Sequence, residues 1–261
     1  MRPEVRVILD RPVRVWRGGA GEPVLLLQGG MADAALHWSP VWDALCERFE
    51  VIAPDWPGFG GSQALASSTY PAMLDWMAAF QAEAVGAPAH LIGNSFGGTM
   101  AVLYAARRPQ DVRRLAVLNG GGLPSQAMAQ AILAAPEGGD LLAEVGAAAF
   151  SREALARMVA DEAILTDAFV AACQGNPVIL RILREALAGG LPHVRTPTAS
   201  TLVLWGEADR HTPPEMGRAV AAAMPGADFR LIPGAGHLPQ VEQPAATADA
   251  IIAFLADERR P

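Results

Sequence analysis

The chain predicts an α/β fold in which a mainly parallel central sheet is flanked by helices and a helical cap is inserted near the middle. Three observations carry this. Short, continuous apolar runs recur at 24–27, 51–53, 90–92, 115–118, 201–205 and 229–232, and most are followed by helical spacing. Runs that are neither alternating nor long belong to strands buried on both faces, and strands that alternate with helices form a parallel sheet. Between residues 120 and 197 the strand pattern stops, and an Ala-rich stretch with helical periodicity takes its place.

The elements follow in order. Segments 5–9 and 13–16 alternate, and Asp10-Arg11-Pro12 separates them, which predicts an antiparallel hairpin at one sheet edge. Helices are predicted over 40–47, 71–85, 96–107, 215–224 and 244–256, with Pro71 and Pro244 at helix starts and Pro109 and Pro225 just past helix ends. In the cap, helical pieces are predicted at 151–160, 161–172 and 178–188, separated by Gly and Pro. The expected division is a core formed by 1–119 and 198–261, with 120–197 as the cap insertion.

With 51% hydrophobic and 18% charged residues among 261, the chain has material for one large core and is not a disordered polymer. Its net charge of −7 argues against a nucleic-acid partner, which would need clustered Lys and Arg. No apolar run approaches the roughly 20 residues that span a bilayer. The charged start, with Arg2, Glu4, Arg6 and Asp10, lacks the apolar stretch of a signal peptide, so a cytoplasmic location with no membrane partner is expected. Cys46 and Cys173 stand far apart and outside any metal-ligand spacing, which predicts two free, buried thiols and no metal. The sequence leaves monomer and homodimer equally open.

The strongest local signal is Gly93-Asn94-Ser95-Phe96-Gly97, placed between a predicted strand and a predicted helix. This is the context of a nucleophile elbow, where small residues two positions either side of a serine let strand and helix close together. A serine hydroxyl needs a base, and the base needs an orienting group. Of five histidines, His37, His90, His193 and His211 read as loop, strand-start or hinge residues. His237, in Gly234-Ala235-Gly236-His237, follows the last strand on a loop able to aim its imidazole over the sheet. Asp209 ends the segment after strand 201–205 and is the expected acid, with Glu207 as competitor. The order Ser95, Asp209, His237 is the one expected for this strand-and-helix architecture. Asp55 precedes the nucleophile, and its expected task is ordering the glycine-rich loop that runs to Ser62.

An oxyanion hole needs two backbone N–H donors. Phe96 at the helix N-terminus supplies one. Gly30, in Gln28-Gly29-Gly30-Met31, is expected to supply the other, with Met31 as alternative.

With Gln28-Gly29-Gly30, 55–62, 93–98, 205–209 and Gly236-His237 all in place, the chain resembles the α/β-hydrolase superfamily almost end to end. It is similar to the group holding carboxylesterases, lactonases, cofactor-free haloperoxidases and hydrolases of ring meta-cleavage products. The run Gly93-Asn94-Ser95-Phe96-Gly97-Gly98 is closest to the last. Gln28 departs from the His that many relatives carry before the oxyanion glycine. Ser95 excludes the Asp-dependent chemistry of haloalkane dehalogenases and epoxide hydrolases.

The resemblance implies acyl transfer to water without metal or organic cofactor, and a small-molecule ester substrate. Met31, Trp38, Phe96 and Leu238 are expected nearest the acyl group. Met128, Leu142, Phe150, Met158, Phe169 and Ile179 of the cap are available as apolar lining, although helix packing accounts for most of them. The alternatives are carbon–carbon hydrolysis of a vinylogous diketone acid, with Arg181, Arg184 or Arg210 as the cation for its carboxylate, and lactonase or perhydrolase chemistry. Outside enzymes, a receptor-like ligand-binding module uses the same fold.

Overall fold

In a computed structural model that describes residues 1–122, 150–174, 178–189 and 195–257, the strands are β1 (Arg2–Ile8), β2 (Arg11–Gly18), β3 (Pro23–Leu27), β4 (Glu50–Pro54), β5 (Ala89–Asn94), β6 (Val112–Leu118), β7 (Ser200–Gly206) and β8 (Asp228–Ile232). They form one sheet in the order β1-β2-β4-β3-β5-β6-β7-β8. β2 is antiparallel to β1 and to β4, and the remaining neighbours are parallel. The hairpin and all six apolar runs therefore fall on strands.

The continuous apolar runs follow from burial on both faces. Successive side chains of a strand point to opposite sides. In β3, Leu25 and Leu27 join the core under α2 (Tyr70–Phe80) and α3 (Phe96–Arg107), whereas Val24 and Leu26 join the core under α1 (Ala34–Cys46). A strand with only one buried face would have alternated.

Helix boundaries differ from the expectations in the cap, where the helix expected at 151–160 is only Arg152–Ala156 and the one expected at 161–172 divides into a 3₁₀ turn at Glu162–Ile164 and a helix at Asp167–Gln174, and at two places in the core. α1 begins at Ala34 rather than residue 40, because the Asp33 carboxylate accepts from Leu36 N at 2.9 Å and caps an earlier start. Pro40 is thus carried inside the helix. α2 stops at Phe80, and its expected continuation to residue 85 is a π-turn, Gln81–Val85, closed by Gly86 at φ 75°. α3 matches its expected span.

Between β6 and β7 the described residues hold only helical structure: α4 (Arg152–Ala156), a single 3₁₀ turn (Glu162–Ile164), α5 (Asp167–Gln174) and α6 (Val178–Ala188). They meet the sheet at the C-terminal ends of its parallel strands. A Cβ placed on Gly30 would lie 2.5 Å from Ile179 Cγ1 of α6, and the Met158 carbonyl accepts from His237 N at 2.7 Å. After β7, α7 (Pro214–Ala222) returns along the sheet, and α8 (Pro239–Glu242) and α9 (Pro244–Leu255) close the chain. Both cysteines are free; Cys173 is buried as expected, and Cys46 is only half-buried. Among the described residues, no helix is long and apolar enough to cross a membrane.

Candidate active site

β5 delivers Ser95 at its C-terminal end and α3 begins at the next residue, so the chain must reverse within a single residue. Ser95 takes φ 52° and ψ −117°, a conformation that L-residues hold only where the surroundings enforce it. Steric room comes from the flanking glycines. A Cβ on Gly93 would sit 2.3 Å from the Gly97 carbonyl oxygen, and one on Gly97 would sit 2.2 Å from that of Leu27. The G-x-S-x-G spacing is thus a packing requirement of strand, turn and helix together.

Asp209 and His237 come from the loops after β7 and β8. His237 Nδ1 stands 2.8 Å from Asp209 Oδ2, with both side chains almost fully buried. Oδ2 also accepts from Asn119 Nδ2 at 2.5 Å and Thr212 Oγ1 at 2.6 Å, and Oδ1 accepts from the backbone N–H groups of His211 and Thr212. Burial by itself would push this carboxyl up. The hydrogen bonds from His237 and Thr212, with the charge on His237, outweigh it and hold Asp209 below the ordinary carboxylate range. Glu207, the competitor, is exposed.

The imidazole is held from behind. Asn94 Nδ2 donates to the His237 carbonyl at 3.1 Å and to that of Leu118 at 3.2 Å. Glu242 accepts from Gly236 N and Leu238 N, both at 3.0 Å, and also from Ala160 N. Asn94, Asn119 and Glu242 had no role in the sequence reading. Only the motif position of Asn94 and the strand-end position of Asn119 were visible there, and nothing marked Glu242.

Ser95, His237, Gly30 and Phe96 line one cavity of about 770 Å³, joined by Met31. The loop carrying Gly30 lies against Ser95: a Cβ on Gly29 would be 3.5 Å from Ser95 Cβ. Gln28 settles that loop in its own way, with Nε2 donating to the Ala32 carbonyl at 3.4 Å and its carbonyl accepting from Trp56 Nε1 at 2.9 Å.

Two pocket expectations are corrected. Trp38 is fully buried in the core between α1 and the sheet, away from the cavity, because α1 covers the opposite face. Leu238 is buried in the other core and is not among the cavity's lining residues, because the loop turns its side chain inward as it presents His237. Of the cap residues, Phe150, Met158 and Ile179 line the cavity and Phe169 packs in the core; Met128 and Leu142 lie outside the described residues.

His37, expected in a loop, lies inside α1 and is fully buried, whereas His211 stands in a loop as expected but also reaches the cavity. Its ring meets that of His237 edge to face, with centroids 4.8 Å apart, and it lines the cavity. Burial, then the charge on His237, push it down to about 4 against the pull of Asp209. His90 pairs with Glu22 at 3.0 Å far from the site, and His193 lies outside the described residues. Asp55 does order its loop, accepting from Gly61 N at 2.8 Å, and it also binds Ala34 N at the start of α1 and Arg14 Nε at 2.6 Å. Arg181, Arg184 and Arg210 are not among the described lining residues, whereas Arg195 is.

A model of the alpha/beta hydrolase family matches residues 24–250. The chain is 30% identical over 259 residues to a 2-hydroxy-6-oxo-6-phenylhexa-2,4-dienoate hydrolase of Burkholderia cepacia, covering 92% of this chain and 89% of that protein. It is 27% identical over 258 residues to a 2-hydroxymuconate semialdehyde hydrolase of Pseudomonas sp. strain CF600, covering 92% and 88%. Among solved structures, a thermophilic esterase from Thermogutta terrifontis superposes with a TM-score of 0.81 at 26% identity, covering 98% of each chain.

Proposed function

The chain belongs to the alpha/beta hydrolase family, and on that premise we propose that it is a serine hydrolase of small to medium carboxylic esters. Ser95 attacks the substrate carbonyl as His237 takes its proton. Asp209 holds the imidazole with Nδ1 protonated and stabilises the imidazolium that forms. The amides of Phe96 and Gly30 receive the developing oxyanion. His237 then protonates the leaving alcohol, and water repeats the sequence on the acyl-enzyme. Residues 120–197 act as the cap over a core of 1–119 and 198–261.

The observation that carries this reading is the buried pair of Asp209 and His237 at 2.8 Å, opening on the same cavity as a serine at φ 52°. The cavity's mainly apolar wall suits an ester. Carbon–carbon hydrolysis is the second reading, favoured by the activities named for the Burkholderia and Pseudomonas relatives. The three cap and loop arginines expected to hold its carboxylate are not among the described lining residues, and Arg195 is the lining cation that would hold it instead.

The test is hydrolysis of p-nitrophenyl esters from acetate to decanoate, beside a dienone acid of the meta-cleavage type, with Ser95→Ala, Asp209→Asn and His237→Ala as controls. Ester turnover abolished by all three substitutions supports the proposal. Turnover of the dienone acid alone transfers it to the second reading, and specific ligand binding without turnover to a receptor-like module.

A further inference from the structure

The cavity does not end above Ser95. It continues between α3 and α7, with Val102 on one side and Met216, Val220 and Met224 on the other. Because α7 runs back from the C-terminal end of β7 toward the start of β8, Met216 stands beside the catalytic loops and Met224 at the opposite edge of the sheet. There Met224 and Pro197 also border a second cavity, of about 620 Å³, together with residues that begin β6 and β7. The six residue steps from Met216 to Ala222, where α7 ends just short of Met224, span about 9 Å along the helix. An extended chain covers that length with about seven to eight bonds, three bonds advancing about 3.5 Å.

The walls of this lane are mainly apolar, with Thr99 and Thr196 also lining it, and its one permanently charged lining side chain among the described residues is the exposed Arg195, two residues before Pro197. A guanidinium placed beyond an apolar path is matched by a ligand that is apolar along its length and anionic at its end.

We propose that the lane between α3 and α7 is the acyl subsite, and that it takes an acyl chain of about eight carbons whose far end carries a carboxylate met by Arg195. This rests on the serine hydrolase reading and names its substrate class. The ester carbonyl lies at Ser95, the alcohol leaves on the cap side, and the chain follows Val102 and Val220 toward Arg195.

The experiment compares kcat/KM for p-nitrophenyl acetate, butyrate, hexanoate and octanoate, and for the p-nitrophenyl monoester of octanedioic acid, in the native protein, Val220→Trp and Arg195→Gln. Each methylene accommodated in the lane should raise kcat/KM about threefold. Val220→Trp should lower the octanoate-to-acetate ratio at least roughly tenfold by filling the lane. The dioic monoester should exceed the octanoate about fivefold, and Arg195→Gln should remove that preference, as expected for a partly exposed ion pair.

Ester turnover with a ratio that does not rise with chain length, or that Val220→Trp leaves unchanged, overturns the lane and leaves the hydrolase reading standing. If no ester is turned over, calorimetric titration of octanedioate into the same three proteins decides. Binding weakened by both substitutions supports the lane without the hydrolase, and no binding overturns it.

Discussion

Asn119 donates through Nδ2 to Asp209 Oδ2 over 2.5 Å, and its Oδ1 accepts from Gly206 N at 3.2 Å. One side chain therefore ties the residue after β6 to the end of β7 and to Asp209 in the loop beyond it. Asn119 itself sits at φ 46°, in the left-handed region that Asn tolerates better than most residues. The arrangement makes the position of Asp209 depend on the register of two neighbouring parallel strands.

Asn119→Ala should leave Asp209 with fewer donors in a buried site and free the end of β7. Stability in urea should fall by about 1–3 kcal/mol, and kcat on a p-nitrophenyl ester by roughly tenfold or more. Asn119→Asp places a second carboxyl against Asp209 and should be worse than Ala. If both variants match the native kcat, Asn119 does not position the acid.

Glu242 binds three backbone amides around the His237 loop, so Glu242→Ala should loosen the imidazole. The expected outcome is a fall in kcat of about tenfold with KM nearly unchanged, since the side chain acts on the base and does not line the cavity. Glu242→Gln keeps an acceptor oxygen and should recover part of the loss. An unchanged kcat in the Ala variant would show that the loop holds itself.

Gly97→Ala puts a methyl group 2.2 Å from the Leu27 carbonyl oxygen, and backbone on both sides leaves no route of escape. Expression of soluble, cooperatively unfolding protein should collapse, or the melting temperature should drop by more than about 10 °C. Gly226→Ala is the control for handling: a Cβ there meets nothing within 4 Å, and only its φ of 81° opposes the change. Its destabilisation should be about 1 kcal/mol.

His37 is fully buried beneath the loop carrying Gly29 and Gly30, and burial lowers its imidazole to about 4, with Asp33 opposing the effect and the charge on His237 adding to it. Its folded value lies below the unfolded value of 6.5, so the unfolded chain binds more protons between them. The resulting stability is complete above pH 6.5 and is lost as pH falls toward 4, by roughly 3 kcal/mol for this group. Urea midpoints measured from pH 7.5 to 4.5 should fall steadily in the native protein. In His37→Phe the slope should be shallower, with His211 supplying a remainder of the same sign. Equal slopes in the two proteins would refute the assignment.

The elements that the sequence announced share a physical cause: each is decided by neighbours a few residues away. β3 and β7 were legible because strands buried on both faces carry a nearly unbroken apolar run, with Thr201 the one buried polar side chain in β7. α3 was legible to the residue because Gly93 and Gly97 mark the turn before it and Pro109 lies just beyond its end. α1 was misread at its start because Pro40 is the louder signal, whereas the Asp33 cap depends on one side-chain hydrogen bond. Among site residues, Ser95, Asp209 and His237 each stand at a strand's C-terminal end in a short glycine-containing segment, and the structure brings Asp209 and His237 into contact and sets Ser95 on the same cavity.

Sequence by itself determined the α/β class, the burial of the sheet on both faces, and which serine, acid and histidine stand at strand ends. Tertiary structure alone decided which side chains surround them. Trp38 faces away from the cavity because α1 lies across the sheet from it, and His211 reaches His237 because the loops after β7 and β8 converge. Asn119 and Glu242 hold Asp209 and the His237 loop from 90 residues and from five residues away. Apolar periodicity and turn chemistry are local and survive in one dimension. Hydrogen-bond partners across strand ends are set by sheet order and helix placement, which no local pattern encodes.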